Sequence, residues 1–277
     1  MKLLLMACFL PAVLFGSALP TVVIYDNSLV APNVVSLGYE ATSTSEFGSQ
    51  IQFGAAGRTL DHVEVTMSSW AKKSDWLNFG TETGYNHNLT LNLYNVGVDN
   101  SVGSLIASST IDSFVPFRPE ADPTCAGGTG WRAENNSCYN GLAFDVDFSM
   151  LGVVVPDSVI WSVGYNTAHY GDTPLGPGPY QSLNVGLASI DPTIGSNPAP
   201  DTAYWDTTYG PFYADGGAGG VGVFRVDTNW TPHSAMGKFY AVDGGAAAPE
   251  PGTWFLGVSG GLFLLAASLR RRRQRKL

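Results

Sequence analysis

The chain has 277 residues and a formal charge of −9, but the charge is unevenly divided. Residues 19–248 hold seven Lys and Arg against 22 Asp and Glu, a formal −15 (7 − 22), while six basic residues crowd into 270–277. So acidic a body argues against nucleic acid and anionic membrane as partners, and 33 Gly with 17 Pro indicate many turns.

At the start, Lys2 precedes an apolar run over 3–15 and the small residues Gly16-Ser17-Ala18. One positive charge, a hydrophobic core and small residues before a cleavage point read as a secretory signal peptide over 1–18. Pro11 would break a buried helix here, and Cys8 sits too early in the apolar run to be a lipidation site. The following stretch is long enough for one sizeable all-β core, and 19–243 is assigned to a single exported domain.

Within that domain, apolar and polar residues alternate with period two, as half-buried strands require. Shorter candidates at 34–39 and 50–53 precede a clear one at 59–67, where Val63, Val65 and Met67 oppose His62, Glu64 and Thr66. In 88–94, Leu89, Leu91 and Leu93 share a face. The stretch 115–140 has no period and holds Cys125 and Cys138, the two cysteines left once the signal peptide is removed. An even count in an exported chain implies a disulfide between them, worth about 3 kcal/mol for so short a loop.

In 141–148, Leu142, Phe144, Val146 and Phe148 face inward and Asp145 and Asp147 outward. Two such carboxylates could hold Ca²⁺, but calcium wants six to eight oxygens and nothing nearby completes them, so a solvated strand face is the better reading and no cofactor is expected. Val159, Trp161, Val163 and Tyr165 line one face of 158–165. Apart from a strand at 182–187, residues 168–220 are irregular and rich in Pro, Gly and aromatics. Tyr204, Trp205, Tyr209, Phe212 and Tyr213 cluster there, after Tyr170 and Tyr180, as candidate rings for stacking on sugars. The competing reading is that these rings pack on the core. Candidate strands at 221–226 and 237–242 close the domain. Many short strands between Gly/Pro turns, with no helical period, predict an all-β fold: a single β-sandwich, jelly-roll-like, with long loops.

His62, His87, His169 and His233 lack metal-ligand spacing. No Gly-x-Ser-x-Gly elbow, phosphate-binding glycine loop or facing pair of carboxylates is recognisable, so an enzyme is not expected.

After a Gly/Ala linker at 244–248 come Pro249, Glu250 and Pro251, an apolar run over 254–269, and Arg270, Arg271, Arg272 and Arg273 with further basic residues to 277. Sixteen residues at ~1.5 Å rise give a helix of about 24 Å, short of the ~30 Å hydrocarbon core, and arginines can snorkel to make up part of the difference. The basic cluster would stop transfer and stay inside, leaving the body outside. The tripeptide, span and basic cluster over 249–277 resemble the PEP-CTERM sorting signal of bacterial envelope proteins. That resemblance implies processing by an exosortase-type protease, transient anchoring in the inner membrane, and a final place in the envelope or extracellular matrix. It carries no catalytic residue to the body, for which a structural or adhesive role, a glycan-binding module and a polysaccharide-active hydrolase are the expectations, in that order.

Overall fold

The computed structural model of the chain describes residues 20–39, 44–76, 81–165, 182–206, 224–227 and 234–242, with backbone alone over 224–227. The expected signal peptide, linker, sorting motif, membrane-spanning helix and basic tail lie outside the described residues. The strands are β1 (Thr21–Asp26), β2 (Val35–Gly38), β3 (Glu46–Gln52), β4 (Leu60–Ser69), β5 (Gly84–Val96), β6 (Val102–Pro116), β7 (Trp131–Arg132) and β8 (Cys138–Tyr139). They continue with β9 (Leu142–Ser149), β10 (Ser158–Gly164), β11 (Leu183–Ala188), β12 (Ala203–Asp206), β13 (Phe224–Asp227), β14 (Ser234–Ala235) and β15 (Gly237–Val242). Short 3-10 turns at Lys73–Asp75, Val98–Asn100 and Ala126–Gly128 are the only helical elements among the described residues, and none is long enough to cross a membrane.

Two antiparallel sheets pack together as a sandwich. In the first, β4 pairs with β9 on one side and with β15 and then β11 on the other; β1 continues beyond β15, while β11 also carries β2 and β14. The second runs β13-β12-β3-β10-β5-β6. The alternation read from sequence decides which side chains enter the space between the sheets. Val63, Val65, Met67, Val146, Phe148 and Phe239 come from the first sheet; Phe47, Ile51, Leu89, Leu91, Leu93, Val159, Trp161 and Val163 come from the second. Each large aliphatic or aromatic side chain removed from water this way contributes about 1.5–3 kcal/mol. Trp161 is accommodated because position 237 is glycine: a β-carbon there would stand 2.9 Å from Cη2 of the indole. The sheets are also joined by a polar contact, with the backbone N–H of Ala235 donating to Ser49 Oγ at 2.9 Å.

The absence of a period predicts an irregular stretch over 115–140, and no period-two alternation marks a strand just before it. Instead β6 occupies fifteen residues, the longest strand described. Its inward positions are Ala107, Ser109, Ile111, Ser113 and Val115, opposite Leu93, Leu91, Leu89, His87 and Tyr85. Small and polar residues on the buried side, with bulges that shift register near Tyr94, hide the period-two signal. Two-residue strands β7 and β8 then form a small hairpin inside the supposed loop.

Candidate functional site

The predicted disulfide is present: Cys125 and Cys138 are bonded, their Cα atoms 5.7 Å apart. The loop it closes is ordered by a second set of contacts. The Asp122 carboxylate accepts from the hydroxyl and backbone N–H of Thr124 and from Arg132 Nε at 2.9 Å. These contacts, the Thr124 hydroxyl foremost, hold the Asp122 carboxyl below the usual carboxylate range. Arg132 also donates to the Asn136 carbonyl at 2.8 Å, and Trp131 Nε1 donates to the Gly141 carbonyl at 2.8 Å. Arg118 ties the loop to the sandwich by donating to the carbonyls of Trp70 and Thr129, each at 3.0 Å.

Of the candidate sugar-stacking rings, Tyr204 and Trp205 lie in β12, with 0 % and 5 % exposure. β12 adds to β3, so Trp205 turns inward, its ring edge-on to Phe47 at 5.0 Å, and Tyr204 turns outward, donating to Gln50 Oε1 at 2.9 Å. Neither ring offers a face for stacking: Trp205 packs into the core, as the competing reading has it, and Tyr204 is covered on the outer side, where it bonds Gln50. Tyr209, Phe212 and Tyr213 lie outside the described residues.

Asp145 and Asp147 point outward from β9, as their parity requires. Thr66 donates to Asp145 at 2.7 Å, and Asp147 stands opposite Glu64. Among the described residues, no group of three or more His, Cys, Asp or Glu is arranged to hold a metal ion. The same outer face carries an ionic array. His62 stacks on Tyr240 at 4.0 Å, its Nδ1 is 2.7 Å from Asp61, and Lys238 Nζ lies 3.5 Å from Asp26. Tyr240 donates to Glu64 at 3.0 Å, and burial together with that carboxylate pushes its phenol up. Burial pulls the Lys238 ammonium down, but the Tyr240 and Asp26 contacts outweigh it, and its value is raised overall.

The outer face of the second sheet is built differently. Glu46 is 8 % exposed, and its Oε1 accepts from Asn92 at 2.8 Å, from Tyr94 at 2.7 Å and from Ser162. Burial and the neighbouring carboxylate push the Tyr94 phenol well above its ordinary value. From this hub a ladder of amides and hydroxyls, with the Asp112 carboxylate, runs along the β5–β6 hairpin. Thr90 and Thr110 hydroxyls meet at 2.8 Å, and Asn86 donates to Asp112 at 2.9 Å. At the far end Phe114, 52 % exposed, lies across Gly84, where a β-carbon would stand 2.5 Å from Cζ and 3.0 Å from Cε1. Sequence reasoning missed Glu46, Phe114 and this ladder because β6 was not recognised; the alternating Asn86, Asn88, Thr90 and Asn92 were the available signal.

These features define an all-β, two-sheet antiparallel sandwich with one disulfide-closed hairpin and two polar outer faces. No protein-family model, no curated protein and no solved structure matches the chain.

Proposed function

We propose that the chain is an exported protein of the bacterial envelope or extracellular matrix, with a structural or adhesive, non-enzymatic body. The observation that carries this reading is the succession of Pro249, Glu250 and Pro251, an apolar run and an arginine cluster, which resembles a PEP-CTERM sorting signal, together with the N-terminal apolar run that reads as an export signal. The bonded Cys125 and Cys138 support it, since such bridges persist in oxidising compartments. The body passes from one sheet to the other at most connections between its main strands, which favours the jelly-roll variety of sandwich.

The test is the covalent state of the protein in a host that possesses an exosortase-type protease and in the same host lacking it. With the protease, the mature chain should begin near residue 19 and end near Pro249–Pro251 by mass spectrometry. Without it, or in Glu250→Ala, the chain should remain in the inner membrane with 254–277 attached. A full-length chain in the cytosol with free Cys125 and Cys138 thiols would refute the reading.

A further inference from the structure

We propose that the outer face of the β5–β6 hairpin, from Phe114 to Tyr94, binds a neutral polysaccharide chain. The face has the two components such a ligand needs. The first is an aromatic platform: Phe114 is half exposed, and its ring lies across Gly84, a position with no side chain to lift it from the sheet. A ring held this way presents apolar surface to water, against which the C–H face of a pyranose can pack.

The second is a ladder of fixed hydrogen-bonding groups. Asn86, Asn88 and Thr90 on β5 stand opposite Phe114, Asp112 and Thr110 on β6. Thr90 is bonded to Thr110 and Asn86 to Asp112, so these side chains are already held in place, which lowers the ordering cost of binding. From the Asn86–Phe114 row to Tyr94 is eight residues, about 27 Å at ~3.4 Å per residue, a track long enough for several sugar units.

Charge selects the occupant. The ladder carries amides, hydroxyls and the carboxylates of Asp112 and Glu46, with no basic side chain, and the body around it is strongly acidic. A polyanion is repelled, whereas sugar hydroxyls can donate to the exposed Asp112 carboxylate and accept from the amides. A protein partner would have to desolvate this row of polar groups with only two isolated apolar anchors, Phe114 at one end and Leu105 opposite Tyr94 at the other, a poor exchange. The proposal does not rest on the sorting signal.

The test is affinity electrophoresis of the full-length chain in a zwitterionic detergent that has no sugar headgroup. Gels contain hydroxyethylcellulose, mixed-linkage β-glucan or dextran, with alginate as the polyanion. The expected result is retardation by at least one neutral polymer and none by alginate. Phe114→Ala should weaken it about tenfold or more, while Phe114→Tyr stays within about threefold. Leu151→Ala, which removes an exposed apolar side chain away from the face, should change nothing. Circular dichroism checks that each variant is folded. The proposal is overturned if none of the neutral polymers retards the chain, if alginate is preferred, or if folded Phe114→Ala is retarded as strongly as the parent. The gel reads the face while the mature termini read the address, so each proposal can fail without the other.

Discussion

Glu46 is the residue on which the outer face of the second sheet is organised. Its Oε1 serves Asn92, Tyr94 and Ser162, three groups from two neighbouring strands. Removing it strands polar groups that are partly or wholly out of water. Glu46→Ala should therefore cost about 3 kcal/mol in urea unfolding, and Glu46→Gln, which keeps an acceptor, about half as much. Beside it, Gly48 shows how tightly β3 and β10 approach: a β-carbon there would fall 1.8 Å from the Trp161 carbonyl oxygen. Gly48→Ala should destabilise by about 3 kcal/mol, whereas Gly164→Ala, whose nearest neighbour would be 3.4 Å away, should cost less than about 1 kcal/mol by the same measurement. Neither difference is legible in sequence, where both are glycines within strands. What separates them is the approach of a strand more than a hundred residues distant.

At the scale of elements, the disulfide-closed hairpin and the β5–β6 hairpin show how differently two segments can be read. The cysteines are legible because their pairing is a matter of count and compartment, and the bonded pair agrees. Reduction, or the double change Cys125→Ser with Cys138→Ser, should remove about 3 kcal/mol and lower Tm by about 5–10 °C. The loop's contacts through Arg132, Trp131 and Arg118 survive reduction, so hydrogen exchange should accelerate first around Cys125 and Cys138, with the sandwich strands still protected. β6 was not legible, because Ser and Thr fill both of its faces. Its strand character comes from β5, whose Leu89, Leu91 and Leu93 give it an apolar partner to lie beside.

At the scale of the whole molecule, buried phenols set the alkaline limit. Burial pushes Tyr204 up to about 12 and carries Tyr25 and Tyr94 higher still, against about 10 for a tyrosine in water. The folded state thus favours the protonated phenol more than the unfolded state does. That contribution is whole below pH ~10 and is lost as pH rises through the folded values. Unfolding at alkaline pH should begin above pH ~10, with tyrosinate absorbance from these residues appearing together with loss of the sandwich. A titration in which every tyrosine ionised near pH 10 in a folded protein would contradict the burial of all three.

The order of residues by itself determined the strands with a clear apolar alternation, such as β4, β9 and β10, and the faces they turn inward, because parity is a local property: His62 and Val63 must point opposite ways in any strand. It likewise determined the acidic body and the disulfide. Only the tertiary structure decided that Tyr204 and Trp205 would be buried, that Glu46 would gather Ser162 from 116 positions away, and that Phe114 would lie across Gly84. These are contacts between strands distant in sequence. Their energies arise when register and sheet order bring the strands together, and neither is written in the period of any single segment.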